Sequence, residues 1–154
     1  MIVEIKNINP FIDALESVMN QFGITGIKKG NLYNKESMHV DADITSFIGF
    51  VGDIRGNISY SMSKETGKKI VSAMMMGMPV DEMDEMARSA IGELSNMITG
   101  NASTIFSLSG IFVDITPPSI VFGQDIFFII SSVQTTAIDL DTPAGKIEIN
   151  IAIE

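Results

Sequence analysis

The stretch DEMARSAIGELSNMITGNA, residues 84–102, predicts one long amphipathic helix, and this helix determines how the rest of the chain is arranged. At 100° per residue, apolar side chains between residues 83 and 105 gather on one side, which we expect to pack on a sheet. Asp81 should cap the helix, with Asp84 near the free amides of its first turn, and the helix should run to about Leu108 with Gly110 beyond it. The apolar side comprises Met83, Met86, Ala87, Ala90, Ile91, Leu94, Met97, Ile98 and Ile105.

An adjoining side of the predicted helix carries polar and small residues. Glu93 and Asn96 are three positions apart and therefore lie about one turn apart, with Ser89 and Gly100 above and below them. Gly92 and Gly100 each cost about 1 kcal/mol relative to alanine in a helix interior, which indicates a close approach to the backbone. Either the protein's own elements pack there and the polar pair is an ordinary solvated face, or the strip inserts into a groove on a partner. This side comprises Glu82, Ser89, Glu93, Asn96 and Gly100.

The remaining sequence predicts two more helices and several strands. The first helix should have Asn9 as its N-cap and Pro10 in its first position, and should end at Gly23. Ser63 should cap a helix over residues 64–76 that Gly77 ends. The strand signals fall at 24–30, at 38–51 and 53–63 joined by a Gly52-Asp53 hairpin, and at 110–122, 125–138 and 145–154.

The order of these elements indicates an approximate internal repeat. Residues 8–62 and residues 81–153 each read as a helix followed by three strands, and helix 64–76 connects the halves. We therefore expect a single domain over residues 1–154 of the α/β (α+β two-layer) class. Its mixed, largely antiparallel sheet should carry helices packed on it.

Composition excludes several classes of function. The 154 residues include no cysteine and one histidine, His39, which argues against thiolate or multi-histidine metal sites and against a Ser-His-Asp triad. A net charge of −9 argues against nucleic acid and anionic membranes as partners. No apolar run approaches the roughly 20 residues of a membrane span, and the N-terminus lacks the pattern of a signal peptide, so we expect a cytoplasmic protein.

Three segments together resemble a known family. They are GNISYSMSKETGKKIVSAMMMGM (56–78), DEMARSAIGELSNMITGNA (84–102) and VDITPPSIV (113–121). They are similar to the CheX-type members of the CheC/CheX/FliY family of chemotaxis phosphatases. The family motif, Ser/Asp-x3-Glu-x2-Asn with a proline downstream, reads here as Ser89, Glu93 and Asn96, followed by Pro117-Pro118.

The resemblance implies a hydrolase of two-component signalling. Its substrate would be the aspartyl phosphate of a CheY-like response regulator. Glu93 would dock by pairing with a lysine of the regulator, and Asn96 would orient the attacking water. Ser89, Gly92 and Gly100 would border the contact with the partner. The protein would have no cofactor of its own, since the family's Mg²⁺ is held by the regulator.

The resemblance also bears on the number of sites and on assembly. CheC-type members carry two motifs, but in the first helix the nearest approach is Glu16 with Asn20, at the wrong spacing, so we expect one active strip per chain. CheX-type members tend to form homodimers through sheet edges, for which strand 145–154 or its neighbours would serve. Two alternatives remain: a non-catalytic adaptor that binds a regulator or a flagellar switch component, and a structural dimerisation module in which Glu93 and Asn96 are buried.

Overall fold

The computed structural model describes residues 5–154, with side chains described from Ile8 onward. The helices are α1 (Ile5–Gln21), α2 (Lys64–Met74) and α3 (Glu85–Leu108). The strands are β1 (Lys28–Lys35), β2 (Met38–Gly52), β3 (Gly56–Met62), β4 (Val113–Ile115), β5 (Ser119–Ser131), β6 (Thr135–Thr142) and β7 (Gly145–Ile153).

The strands form one sheet in the order β1-β6-β7-β3-β2, and β4 and β5 both pair with the outer edge of β2. Every described pair is antiparallel. The expected hairpin between β2 and β3 is confirmed. Strand β7 lies between β6 and β3, so the expectation that residues 145–154 form an exposed edge is wrong. The edges are β1 at one end and β4 with β5 at the other.

The pairing confirms the internal repeat, except that the second half has a fourth strand, the short β4, without a counterpart in the first half. The strands predicted at 110–122 and 125–138 are observed as β4, β5 and β6. Strands β3 and β7 pair at the centre, β2 and β6 flank them, and the outer strand of each half crosses to the other half, β1 onto β6 and β5 onto β2. Helices α1 and α3 are the counterparts that begin the two halves. The predicted class, helices packed on a largely antiparallel sheet, is therefore confirmed.

The two helices end with the same geometry, which fixes the register between the halves. Gly23 and Gly110 have φ angles of 79° and 80°, which glycine adopts at little cost. The amides of Ile24 and Ile111 each donate 3.0 Å hydrogen bonds, to the carbonyls of Met19 and Phe106 respectively. The halves are thus related by 87 positions. Asn9, which is exposed like Asn96, is the counterpart of Asn96.

The sequence suggests Glu16 and Asn20 as the nearest match in α1 to Glu93 and Asn96 of α3, and this register shows that match to be wrong. Those residues of α1 correspond to Ser103 and Ser107, beyond the strip. The sequence position that corresponds to Glu93 is occupied by Lys6. The first half therefore keeps the asparagine but has the opposite charge at the other motif position.

Some helix boundaries also differ from expectation. Helix α1 includes Ile5 and carries Pro10 inside it, so Asn9 is not its N-cap. Helix α3 is capped by Asp84, whose side chain accepts a 2.9 Å hydrogen bond from the amide of Ala87, and not by Asp81. Glu82 and Met83 consequently precede the helix. Ser63 caps α2 as predicted, but that helix ends at Met74.

Helices α1 and α3 pack side by side on one face of the sheet. Phe11 of α1 contacts Phe106 of α3 edge-on, with ring centroids 5.5 Å apart. Met86 was expected in the apolar side of α3, but it is 61% exposed. The buried side of α3 comprises Ala87, Ile91, Gly92, Leu94, Ser95, Ile98, Thr99, Ala102 and Phe106.

The opposite face of the sheet contains a polar network around Glu148 on β7. Its carboxylate accepts hydrogen bonds from Tyr33, from Lys35 at 2.9 Å and from the Asn150 amide at 2.7 Å. Lys35 also donates to the carbonyl of His39 at 2.8 Å, which ties β1 and β7 to the start of β2. Burial raises the pKa of Glu148, but these hydrogen bonds and the Lys35 charge outweigh burial and leave the pKa lowered.

The lowered pKa of Glu148 predicts a loss of stability in acid. A carboxyl group with a depressed pKa contributes stability that is fully present above its ordinary value of 4.5 and is lost as pH falls through its folded value. Glu148→Gln should flatten the acid limb of a plot of unfolding free energy against pH, measured by urea unfolding. Glu36→Gln, at an exposed position, is the control and should keep the wild-type slope. Equal slopes for all three proteins would contradict this role of Glu148.

Candidate functional site

The polar side of α3 forms an uncovered ridge, which consists of Ser89, Glu93, Asn96 and Gly100. Ser89, Glu93 and Asn96 are exposed, and Gly100 is partly exposed. Within residues 5–154, neither the Glu93 carboxylate nor the Asn96 carboxamide has a hydrogen bond or ion pair. Both side chains are therefore available to another molecule. The reading in which they are buried as part of a structural module does not fit this placement.

The opposite side of α3 holds the ridge in place. The hydroxyl of Thr99 donates to the carbonyl of Ser95 at 2.8 Å, so the Tyr60 hydroxyl, 2.8 Å away, donates to Thr99. Burial raises the pKa of Tyr60 far above its usual value, which keeps this donor protonated. The helix is thus bonded to the centre of the sheet directly beneath the ridge, and a site on a rigid element keeps its geometry.

Gly92 lies under the start of β5. A Cβ atom at this position would be 2.9 Å from Ile120 Cδ1 and 3.6 Å from Pro118 Cγ. Packing within the chain is sufficient to account for this glycine, which is buried. The contact with a partner that was expected at Gly92 stays a prediction.

Gly100 has a different environment. A Cβ atom there would meet no described atom within 4 Å, so nothing within the described chain requires glycine. A helix-interior glycine without an internal contact still carries its cost of about 1 kcal/mol. The open space above Gly100 is therefore the feature of the ridge that packing within the chain leaves unexplained.

The Pro117-Pro118 segment connects β4 to β5 beside this helix. Thr116 anchors it, because its amide donates to the Gly49 carbonyl at 2.9 Å and its hydroxyl accepts from the Gly49 amide at 2.9 Å. Pro118 then packs against the backbone of α3 at Gly92. The segment is both a stiff turn between β4 and β5 and a support behind the ridge.

A cationic cluster near the ridge was not predicted from the sequence. The guanidinium of Arg88 lies 4.6 Å from the ring centroid of Phe122, and Lys64 Nζ lies 5.7 Å from the same centroid. These distances are within the range of cation–π attraction. The three residues come from α3, β5 and α2, so no spacing rule along the sequence relates them.

The described residues offer no alternative metal site or membrane segment. Among residues 5–154, no group of three or more His, Cys, Asp or Glu side chains is arranged to hold a metal ion. No helix in the described part of the chain is long and apolar enough to cross a membrane.

Comparison with known proteins identifies the family and the fold. The family model for the chemotaxis phosphatase CheX matches residues 44–139, which include all of α3. The CheY-P phosphatase CheX of Thermotoga maritima is 38% identical over 125 residues, covering 80% of each chain. The crystal structure of chemotaxis protein CheX from Desulfovibrio desulfuricans has a TM-score of 0.87 at 25% identity and covers 97% of this chain and 100% of that one.

A solved complex is also similar. A chain of the CheX-CheY-BeF3-Mg²⁺ complex from Borrelia burgdorferi has a TM-score of 0.80 at 28% identity, covering 98% of this chain and 99% of that one. An antiparallel sheet of seven strands with three helices is thus the fold that this chain shares with these CheX proteins. The chain belongs to the CheX family, which confirms the resemblance noted in its sequence and the phosphatase class that the resemblance implied.

The two helix glycines predict opposite effects of the same substitution. Gly100→Ala should raise the free energy of unfolding by about 1 kcal/mol, because alanine is the better helix former and finds open space. Gly92→Ala should gain less or lose stability, because its Cβ must displace Ile120. Urea unfolding of the two variants and the wild type measures the difference. Equal gains would contradict the close packing at Gly92.

Proposed function

We propose that this protein hydrolyses the aspartyl phosphate of a CheY-like response regulator by inserting the Glu93–Asn96 ridge into the regulator's active site. The observation that carries the proposal is the exposure of both side chains, without an internal partner, on a helix that is bonded to the sheet. The helix lies within the part of the chain that the CheX model matches. The CheX relative in complex with CheY supports a partner of this kind.

Asn96 is the proposed catalytic group. An acyl phosphate is already activated, and phosphoryl transfer depends mainly on positioning and charge stabilisation. A carboxamide both donates and accepts hydrogen bonds and carries no charge. It can therefore hold a water molecule in line with phosphorus, whereas a carboxylate at the same place would repel the phosphoryl group.

Glu93 is the proposed docking group. It stands one turn before Asn96 on the same ridge, and pairing with a lysine of the regulator would fix the direction from which Asn96 enters. Ser89 and Gly100 border the pair with little bulk, which leaves space for the rim of the regulator's pocket. The Mg²⁺ would come with the regulator, and the CheX–CheY relative was crystallised with BeF3 and Mg²⁺. We place this activity in the cytoplasm.

Two substitutions separate catalysis from docking. Asn96→Ala should lower the rate of regulator dephosphorylation about a hundredfold because the water loses its positioning, while binding is kept. Glu93→Ala should in addition weaken binding about tenfold, because the regulator's lysine loses its partner. Phosphate release from a phosphorylated CheY-like regulator measures the first effect. Titration with the same regulator loaded with beryllofluoride and Mg²⁺ measures the second.

Asn9→Ala is the matched control for Asn96→Ala. It removes the same side chain from the corresponding exposed position in the first half of the repeat, and it should leave hydrolysis unchanged because Lys6, not a glutamate, stands three residues before it. Equal rates for wild type and Asn96→Ala would refute the catalytic role. Binding without acceleration by any of the proteins would instead identify an adaptor.

We also propose that the protein forms a homodimer through the β5 edge. Within the described residues β5 pairs only with β2, and Phe127 and Ile129 on this strand are each 60% exposed. An open strand edge with exposed apolar side chains favours pairing with a second copy. The ridge on α3 would remain free in such a dimer if the two sheets join edge to edge.

A charge on the β5 edge should therefore separate the dimer. Phe127→Glu should shift the protein to the mass of a monomer in sedimentation velocity, because a buried carboxylate in the interface would be unpaired. Leu32→Glu, on the exposed edge strand β1, is the control and should remain dimeric. The opposite result would place the interface on β1, and a wild-type monomer would exclude the dimer.

A further inference from the structure

A groove between α2 and the start of α3 lies outside the residues that the function above uses. Its volume is about 440 Å³, and it opens to solvent. The apolar part of its lining comes from the end of α2, from the connection and from the start of α3, namely Val71, Met75, Pro79, Val80, Met86 and Ala87. Met86 is 61% exposed although it is a large apolar side chain. The chain therefore leaves an apolar surface uncovered at this point.

The groove continues the ridge along the same side of α3. Met86 precedes Glu93 by seven residues, which is 20° short of two full helical turns, so the two side chains lie on the same side of α3. They are separated by about 10 Å along the helix axis. Asn96 lies about 15 Å from Met86 by the same measure. A protein seated on Glu93 and Asn96 therefore meets Met86 if its contact extends two to three turns towards the start of the helix.

A contact that extends from Asn96 to Met86 is expected from the usual size of protein interfaces. A stable interface covers about 800 Å² of each partner, which corresponds to a patch of radius roughly 16 Å. A patch centred on Glu93 and Asn96 would reach the groove. Methionine suits such a contact, because its flexible, polarisable side chain adapts to the shape of a partner.

The rim of the groove is acidic. Asp81, Glu82 and Asp84 line it, and among the described residues no lysine or arginine does. Lys68 and Lys69 of α2 line a neighbouring depression, which shares Pro79, Val80 and Asp81 with the groove. The groove is thus complementary to an apolar side chain flanked by basic residues.

We propose that this groove is a second docking point for the same response regulator, which would insert an apolar side chain from a basic surface segment beside its active site. This inference rests on the proposed function. The ridge carries the chemistry and the Glu93 contact, and the groove adds affinity and selects among regulators that share the same phosphorylated pocket. A contact in the groove would add a third point to those at Glu93 and Asn96 and would limit rotation of the regulator about the line that joins those two residues.

Substitution of Met86 tests the groove. Met86→Ser should raise the Kd for a CheY-like regulator loaded with beryllofluoride and Mg²⁺ about fivefold, as expected for loss of an apolar anchor. The rate of hydrolysis at saturating phosphorylated regulator should stay at the wild-type level, because Asn96 is untouched. Glu82→Lys should weaken binding about tenfold at low salt and less at high salt, because it reverses a charge on the rim.

Met76→Ser is the matched control. Met76 is 98% exposed in the neighbouring turn but does not line the groove, so its loss should leave Kd unchanged. Because Met86 and Met76 are both exposed, the two variants should fold alike, which thermal unfolding checks. An unchanged Kd for Met86→Ser, or an equal rise for both variants, would overturn the proposal.

The same measurements separate this inference from the proposed function. If Asn96→Ala binds but does not hydrolyse while Met86→Ser matches the wild type, the proposed function stands and the groove is not a docking point. If the wild type neither binds nor dephosphorylates CheY-like regulators, both fall. A Met86→Ser variant that changes the sedimenting mass but not Kd would assign the groove to a second copy of the chain and would also overturn the proposal.

Discussion

The structure depends on how α3 packs: one side of the helix is fixed to the sheet, and the other side is exposed to solvent. Gly92 allows Ile120 and Pro118 to approach the helix backbone closely. The Thr99 hydroxyl accepts a hydrogen bond from the hydroxyl of Tyr60 on the central strand β3. A side chain at Gly92 would force the Ile120 side chain at the start of β5 out of its present position. The same contacts give the exposed side of the helix a fixed position. The close packing at Gly92 and the exposure of the ridge thus both follow from the position of α3 on the sheet.

This arrangement suits a phosphatase that has little chemistry to perform itself. The proposed partner brings the activated phosphate and the Mg²⁺, so the helix has only to bring a neutral, well-placed carboxamide. The repeat shows how specific that requirement is. The first half keeps an exposed asparagine at the corresponding position, Asn9, but has Lys6 in place of the glutamate. Because the first half has no glutamate at this position, we assign activity to the second half alone.

Much of the architecture could be predicted from the sequence, because it depends on local periodicity. The spacing of Ile91, Leu94 and Ile98 defined the buried side of α3. The Gly52-Asp53 hairpin and the internal repeat could also be predicted from the sequence. The errors occurred where tertiary contacts decide. Met83 is buried against α2 beside Gly67, which draws the preceding segment away from the helix and moves the cap from Asp81 to Asp84. Pro10 is tolerated inside α1, whose neighbours Ile8, Phe11 and Ile12 are all buried.

The candidate site divides in the same way. The sequence could identify Glu93 and Asn96, because the side of a helix follows from spacing. It could not tell that Gly92 faces Ile120 while Gly100 faces open space, since both are glycines of one helix. Nor could it find the Arg88–Phe122 contact, which joins α3 to β5, or the Met86 groove, which depends on the path of the connection between α2 and α3.

A crystal structure of this protein bound to a CheY-like regulator carrying beryllofluoride and Mg²⁺ tests the central claim most directly. We expect the Asn96 carboxamide to lie in the regulator's active site, hydrogen-bonded to a water molecule in line with the beryllium–oxygen bond, and Glu93 to pair with a regulator lysine. A complex in which the regulator binds elsewhere and Asn96 still faces solvent would contradict it.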